Sequence, residues 1–436
     1  MLRGSIQALA IRLMGTAIWV VLTLLLARMV SQEAFGELFF LINLTILGGT
    51  VLTLGYDVIT LRFGSPMWAQ GETGGMRALL GEGMGISLGA SVLLAAVLLG
   101  GLTFGVVSPV TASVGSAALV VVAIFLTAMI GLSRDMLRAS DRLRRALIGE
   151  AFVRTLVFAV LAAALLLTGQ ATAIGLFALY VVALLLTAGL QVNWVRQAIG
   201  GITAAWPTRA HLPVALAVWP GTASGIIVMR APGLFVGMQS GLVEAALFFA
   251  ADRVAQLSFF LVAAVRTAVA PELARAEASE LQETIARTSA LMLLSGIFGL
   301  VAVMAFGTAM LWALGPNYYA AFPTMVFLLI GNSMTAIFGP FQVLLNMRGR
   351  ERIASAIVTA SAVLLVVLLL TATSAQGAAM IFAGVQAVAY AMGWLAVRRT
   401  LGVSCGMFAV KARHIKEVRA EFGAMARKLT GKQHRK

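Results

Sequence analysis

Twelve apolar segments, separated by short stretches that carry charges, glycine or proline, set the limits on what this chain can fold into. Most contain about 20 residues, the length that a helix needs to cross the hydrocarbon core of a bilayer. They lie at about residues 8–30, 35–58, 83–106, 115–133, 150–169, 173–194, 213–237, 242–270, 288–313, 320–345, 354–374 and 378–397. We therefore predict an all-α polytopic membrane protein with about twelve transmembrane helices.

The composition excludes a water-soluble fold. Of the 436 residues, 60% are hydrophobic and only 11% are charged, whereas soluble domains are about a quarter charged. The single cysteine, Cys405, leaves no intramolecular disulfide and no cysteine-based metal site. The three histidines have no catalytic partner pattern nearby, and no glycine-rich phosphate loop with lysine occurs. We expect neither an enzyme nor a bound metal or cofactor.

The positive charges are distributed unevenly over the loops. If the N-terminus is cytoplasmic, nearly all loop arginines and lysines fall on the inner side, and only Arg28 falls on the outer side. Cytoplasmic loops of membrane proteins carry this excess. It explains the net charge of +15 without a nucleic-acid partner. The pattern predicts a multi-pass membrane protein with both termini in the cytoplasm.

A polar stretch at 195–212, with Pro207 and Pro213 near its end, separates the predicted helices into six and six. We predict a six-helix N-terminal lobe at 1–205, a six-helix C-terminal lobe at 206–400 and a basic tail at 401–436. The tail has apolar residues at helical spacing opposite its lysines and arginines: Phe408, Ile415, Val418, Phe422, Met425 and Leu429. This pattern predicts an amphipathic helix at 407–430 on anionic lipid.

Polar residues recur on single faces of the predicted spans. Three rows stand out: Arg12, Thr16, Trp19 and Thr23; Asn43, Thr50 and Asp57; and Asn332, Thr335, Gly339, Gln342 and Asn346. Hydrogen bonds between helices explain a single threonine; several rows favour a water-filled cavity. Arg253 lies within a span, where a charge is costly, and Gln256 shares its predicted face. A structural ion pair is the alternative for Arg253, and snorkelling to the interface is the alternative for Arg12.

The seventh span contains two internal prolines, Pro220 and Pro232, with Arg230 between them. Proline removes a backbone hydrogen bond and bends a helix, and interrupted helices form gates in transporters. We predict a broken helix here. A bend that only shapes packing is the alternative.

Several short motifs resemble polysaccharide flippases of the Wzx type, which belong to the MATE-like multidrug/oligosaccharidyl-lipid/polysaccharide exporter superfamily. The sequence Ala-Arg-Met-Val-Ser-Gln-Glu-Ala-Phe-Gly at 27–36 is similar to their first outer turn. Gly-Pro-Asn-Tyr-Tyr at 315–319, Asn-Met-Arg-Gly-Arg at 346–350 and Pro271 also fit. The similarity of layout covers most of residues 1–400 and leaves the basic tail unmatched.

The resemblance implies two six-helix bundles around a central cavity. It also implies a location in the bacterial inner membrane and movement of an isoprenoid-diphosphate-linked oligosaccharide from the cytoplasmic to the outer leaflet. Arginine binds phosphate with two parallel hydrogen bonds, so the candidates for the diphosphate are Arg12, Arg230 and Arg253. Those for sugar hydroxyls are Asn332 and Gln342. The expected partners are the lipid-linked oligosaccharide, anionic membrane lipids and a polysaccharide polymerase complex.

Two other functions stay open. A multidrug/cation antiporter of the same superfamily needs carboxylates in the membrane, and the few present are Asp57, Asp252 and Glu244. Of these, Asp57 and Asp252 are also candidates for a coupling ion. A non-transporting scaffold of a polysaccharide synthesis complex is the second alternative, although a scaffold has no need of a polar interior.

Overall fold

The computed structural model describes residues 2–103, 114–275 and 280–418. Every regular element within these ranges is helical, and ten helices are long and apolar enough to cross a membrane. Ten of the twelve predicted segments correspond to these helices. In the first segment the apolar helix is shorter, Met14–Met29, and the segment at 242–270 forms a long helix that carries more charge. The prediction of an all-α polytopic membrane protein is confirmed.

The chain divides into two compact units, Met1–Phe249 and Ala250–Lys436. The predicted lobes, the tail boundary and the central cavity stay predictions. The first unit contains α1 (Leu2–Met29), α2 (Gln32–Val51), α3 (Tyr56–Ala69), α4 (Thr73–Thr103), α5 (Val114–Ala139), α6 (Leu143–Leu147), a π-helical turn (Ile148–Val153), α7 (Arg154–Leu167), α8 (Ala173–Ile199) and α9 (Leu212–Gln239). The division falls inside α10 (Leu242–Arg275).

The second unit continues with α11 (Leu281–Leu314), a 3₁₀ turn (Pro316–Ala321), α12 (Phe322–Phe338), α13 (Phe341–Met347), α14 (Glu351–Leu369) and α15 (Ala375–Leu401). A short 3₁₀ turn (Gly406–Phe408) and a helix at 412–418 follow. Its core includes the buried side chains of Ile285, Phe341 and Leu345.

Side-chain caps fix where three of the membrane helices begin. The hydroxyls of Ser31, Thr172 and Ser374 accept hydrogen bonds from the third backbone N–H downstream, at 3.2, 3.1 and 3.1 Å. Such a cap replaces a bond that the first turn of a helix lacks. The three capped helices are α2, α8 and α15.

The predicted second span, 35–58, is interrupted. α2 ends at Val51, and Leu54 and Gly55 then adopt positive φ values of 46° and 86° before α3 begins. The Val51 carbonyl, which loses its helical partner, accepts a hydrogen bond from Trp219 Nε1 at 2.8 Å. The prediction of one continuous span was therefore wrong, and Asp57 lies on a different helix from Asn43 and Thr50.

The predicted tenth span, 320–345, is interrupted in the same way. α12 ends at Phe338, Gly339 has a φ of 88°, and α13 begins only after Pro340. The sequence pattern predicts that Gln342 and Asn346 continue the helical face of Asn332 and Thr335. The interruption shows that they do not.

The predicted seventh span is not interrupted, because α9 runs continuously through Pro220 and Pro232. The predicted break in that helix was wrong.

The first part of the predicted tail packs against the second unit. The side-chain amide of Gln282 forms two hydrogen bonds with the backbone of Ser404, at 2.9 and 3.2 Å. Glu283 binds Arg413 at 2.6 Å and the buried His414 at 3.0 Å. Cys405 is fully buried, and this burial raises the pKa of its thiol to about 12, so it is unreactive at neutral pH. Residues 419–430 of the predicted tail helix lie outside the described residues.

These contacts predict that the tail stabilises the protein in two distinct parts. A chain truncated after Gly402 loses the bonds to Gln282 and Glu283 and should melt at a lower temperature, by about 2–4 °C for each kcal/mol lost. A chain truncated after Val418 keeps all of them and serves as the matched control. Thermal unfolding in detergent measures both. Equal melting temperatures for the two truncated chains would contradict a stabilising role for residues 403–418.

Candidate functional site

A polar cavity of about 210 Å³ lies within the first unit. It forms where the interruption between α2 and α3 faces α5, the π-helical turn and the helices that follow. Threonines and five charged side chains line it, together with a few small or apolar residues: Ile46, Gly49, Thr50, Thr53, Asp57, Thr127, Ile130, Gly131, Arg134, Glu150, Arg154 and Arg230. Among the five charged residues, three are arginines and two are carboxylates.

Glycines let the helices approach closely beside this cavity. At Gly49 on α2, an added Cβ would lie only 2.6 Å from the side chain of Thr127 on α5. Gly131 lies one helical turn beyond Thr127, and nothing would meet a Cβ there within 4 Å. α2 and α5 are thus held together at one point of the cavity wall and leave open space at the next.

Arg134 is the most strongly bound of the three arginines. Its guanidinium donates two hydrogen bonds to Asp135, from Nε to Oδ1 at 3.0 Å and from Nη2 to Oδ2 at 2.6 Å. Nη1 donates a third bond to Glu150 Oε1 at 2.9 Å. Asp135 is buried and also accepts a bond from Arg138 at 3.0 Å. A buried carboxylate and a two-bond contact together fix the position of the Arg134 side chain.

Arg154 and Arg230 bring further positive charge to the cavity wall. Arg230 donates a hydrogen bond from Nη1 to Asn43 Oδ1 at 3.0 Å, and Asn43 in turn donates to the Phe39 carbonyl at 2.7 Å. Arg154 begins α7, four residues after Glu150, and is half-buried. Within the described residues it has no hydrogen-bond or ion-pair partner. Its guanidinium is therefore available to an anionic ligand.

Asp57 is the second carboxylate of the cavity. It accepts a hydrogen bond from Thr53 Oγ1 at 3.2 Å, across the interruption between α2 and α3. Because the helix is interrupted, Thr50, Thr53 and Asp57 line one cavity although they do not share a helical face. In the described part of the chain no group of three or more His, Cys, Asp or Glu residues forms a metal site.

The structure places the predicted site residues in different parts of the molecule. Arg230 and Asp57 line the cavity of the first unit. Arg12 belongs to α1, and its side chain lies outside the described part. The remaining candidates belong to the second unit: Asp252, Arg253, Asn332 and Gln342.

Gln256, which was predicted to share a helical face with Arg253, forms a hydrogen bond with Asp252. Gln256 donates a hydrogen bond from Nε2 to Asp252 Oδ2 at 2.6 Å, since residues four apart on a helix lie as close as residues three apart. Gln256 and Arg253 are three residues apart on the same helix, α10, so this bond does not contradict the predicted shared face. Arg253, Asn332 and Gln342 are each half-buried, and their roles in binding stay predictions.

Sequence reasoning missed three residues of the cavity: Arg134, Glu150 and Arg154. Arg134 lies just beyond the predicted span at 115–133 and close to a run of arginines, whereas α5 continues to Ala139. Glu150 and Arg154 were assigned to the fifth predicted span. Their spacing of four residues, which places charges on one helical face, was the signal available in the sequence.

Comparison with known proteins identifies the fold. No protein-family model and no curated protein sequence matches the chain. Among solved structures, a multidrug resistance MATE-family transporter of the MOP superfamily, in an inward-facing conformation, is similar with a TM-score of 0.72 and 15% identity. That similarity covers 91% of this chain and 98% of the transporter.

Two further structures share the fold. The lipid II flippase MurJ, in an inward closed conformation, has a TM-score of 0.69 and 12% identity, with coverage of 100% of this chain and 94% of MurJ. A MOP-superfamily transporter from Pyrococcus furiosus, described by the reversed polarity of its binding pocket, has a TM-score of 0.62 and 14% identity, over 91% and 95% of the two chains. The fold is therefore that of MOP-superfamily transporters.

Proposed function

We propose that this protein is a flippase that moves an isoprenoid-diphosphate-linked oligosaccharide from the cytoplasmic to the outer leaflet of a bacterial inner membrane. The observation that carries the proposal is the arginine-rich cavity of the first unit. On this account the protein is a transporter and not an enzyme, and it serves the synthesis of a cell-surface polysaccharide.

The charge of the cavity suits a diphosphate. Moving an unpaired charge into a low-dielectric interior is very costly, so an anionic group that crosses the membrane needs fixed donors in place of water. Arg154 and Arg230 supply such donors, and Arg134 has one guanidinium nitrogen directed at Glu150. Guanidinium groups do not lose their proton in proteins, so the three arginines stay positively charged at any physiological pH.

The similarity in fold supports the same class of substrate. One similar structure is described as a flippase of lipid II, which makes a lipid-linked substrate compatible with this fold. The motifs similar to Wzx-type flippases point to a lipid-linked oligosaccharide. Arg12 and Arg253 remain candidates for further diphosphate contacts, and Asn332 and Gln342 remain candidates for the sugars.

A cation antiporter is the alternative with a specific observation in its favour. Asp57 and Glu150 line the same cavity as the arginines, and carboxylates bind cationic drugs and coupling ions. Glu150, however, is already paired with Arg134, and the cavity lining has three arginines against two carboxylates. Asp57 and Asp252 are retained as candidates for a coupling ion. The polar cavity argues against a non-transporting scaffold, because a scaffold requires no binding site within the membrane.

Deletion of the gene tests the proposed function. Without the flippase, the lipid-linked oligosaccharide should accumulate on the cytoplasmic side, while resistance to cationic drugs should be unchanged. A plasmid copy of the wild-type gene should reverse the accumulation. Loss of drug resistance without accumulation would favour the antiporter. A loss of polysaccharide in which the lipid-linked precursor still reaches the outer leaflet would favour the scaffold or a role with the polymerase complex.

A further inference from the structure

Arg134 has two acidic partners that differ in how firmly they are held. Asp135 takes two of its guanidinium nitrogens and is only 5% exposed, whereas Glu150 takes the third nitrogen and is 30% exposed. Asp135 also binds Arg138 and adjoins Arg134 in sequence. Removing Asp135 from this network would leave a buried charge unpaired, at high cost. Glu150 is the more exposed of the two carboxylates, so its displacement from Arg134 leaves less buried charge unpaired.

The backbone that carries Glu150 packs closely against α1 and α8. The π-helical turn at Ile148–Val153 is held tightly on two sides. A Cβ at Gly149 would lie 2.5 Å from Gln191 Nε2, and one at Gly15 of α1 would overlap the Ala151 carbonyl oxygen. π-helical turns are uncommon and occur frequently at functional sites. Rotation of the Glu150 side chain is sufficient to release the Arg134 Nη1 donor.

A carboxylate and a phosphate compete for the same donor. A carboxylate is planar and a phosphate is tetrahedral, but both present anionic oxygens that accept charge-assisted hydrogen bonds from guanidinium. Glu150 lines the same cavity as Arg154 and Arg230. A phosphate group that entered this cavity would therefore meet both the Arg134 donor and the negative charge of Glu150.

We propose that Glu150 competes with the phosphate groups of the substrate for Arg134. This proposal rests on the proposed function. The Glu150 carboxylate occupies Arg134 before the substrate enters, is displaced when the diphosphate binds, and returns to Arg134 when the diphosphate leaves. Asp135 keeps the guanidinium oriented throughout. The pair thus lowers the affinity for the substrate and speeds its release, which a transporter requires.

Charge-removing variants of Glu150 test this proposal. The measurement is the Kd of purified protein in detergent for farnesyl diphosphate, an isoprenyl diphosphate probe, by titration calorimetry. Glu150→Gln should bind the probe about tenfold more tightly, a gain of about 1.4 kcal/mol. Glu150→Ala removes the same charge without adding an amide and should show the same direction. Turnover should fall in both variants, because release becomes slower.

Two controls separate competition from structural damage. Glu150→Asp keeps the charge and should bind close to the wild-type value. Glu283→Gln removes a different ion-paired carboxylate, in the second unit, and should leave the Kd unchanged. A merely structural role of Glu150 would weaken binding, since a disrupted site does not gain affinity.

The outcomes distinguish this proposal from the proposed function. If the wild type binds the probe, Arg154→Ala weakens binding, and both Glu150→Gln and Glu150→Ala bind equally or less well than the wild type, the competitor role is wrong and the flippase proposal stands. If neither the wild type nor any variant binds the diphosphate, the proposed function fails and the competitor role fails with it.

Discussion

Replacing Arg154 by alanine is expected to lower transport of the lipid-linked substrate by about tenfold to a hundredfold. Hydrogen bonds to charged groups contribute about 1.5–3 kcal/mol, and each 1.4 kcal/mol corresponds to about tenfold in affinity. Arg154 lines the cavity and has no protein partner among the described residues. Its removal should therefore affect substrate binding strongly and folding little. Complementation of the deletion strain and the melting temperature in detergent measure the two effects.

Two variants sharpen this result. Arg154→Lys retains the charge but loses the planar fork that binds phosphate with two bonds, so it should restore part of the transport. Arg196→Ala removes an exposed arginine from the last turn of α8 and should transport like the wild type. Normal transport by Arg154→Ala would show that the cavity of the first unit does not bind the diphosphate.

The largest effect on stability is expected from Gly55→Ala, at the interruption between α2 and α3. Gly55 has a φ of 86°, and an added Cβ would overlap the backbone carbonyl of Ala215. A positive φ costs a residue with a Cβ about 1–2 kcal/mol, and overpacking adds about 1–3 kcal/mol. At about 2–4 °C per kcal/mol, the melting temperature should fall by about 10 °C, or the protein should fail to fold.

A second glycine separates the two causes. Gly71, in the turn between α3 and α4, has a φ of 75°, but nothing lies within 4 Å of an added Cβ. Gly71→Ala should therefore cost only the conformational part, about 1–2 kcal/mol. If Gly55→Ala were no more destabilising than Gly71→Ala, the close approach of α9 to this turn would not be required for folding.

Hydrophobicity along the chain was sufficient to predict the class of fold. Segments such as 173–194 and 378–397 correspond to α8 and α15, because a lipid environment requires long apolar helices whatever their neighbours are. The predictions failed where neighbours decide the backbone. Gly55 ends one helix and permits the next because α9 lies against it, and Ala215 is 160 residues away in the sequence.

The predictions failed at two prolines that do not interrupt a helix and at a glycine that does. Pro220 and Pro232 were expected to break α9, yet a membrane helix tolerates proline when surrounding groups satisfy the freed carbonyls. The interruption at Gly339 was not predicted, because the segment remains apolar throughout. There the Phe338 carbonyl accepts a bond from the Cys405 thiol at 3.2 Å, a contact that only the folded chain reveals.

The sequence predicted two of the residues that line the candidate cavity and missed others. Arg230 and Asp57, predicted for the diphosphate and for a coupling ion, both line the cavity, and their roles in binding stay predictions. Arg134 was missed because Asp135 and Glu150 hold it inside the helical region, whereas an isolated arginine near a span end would reach the interface. The ion pair between Arg134 on α5 and Glu150 in the π-helical turn cannot be inferred from the spacing of residues in the sequence.

Reconstituted transport tests the central claim most directly. The purified protein would be placed in liposomes with an isoprenyl-diphosphate-linked, fluorescent oligosaccharide in both leaflets, and the fraction accessible to an external quencher would be followed with time. The wild type should render nearly all of the lipid accessible, and Arg154→Ala should do so about tenfold or more slowly, although both proteins insert equally. Rates equal to those of protein-free liposomes, together with uptake of a cationic drug that requires Asp57, would contradict the account.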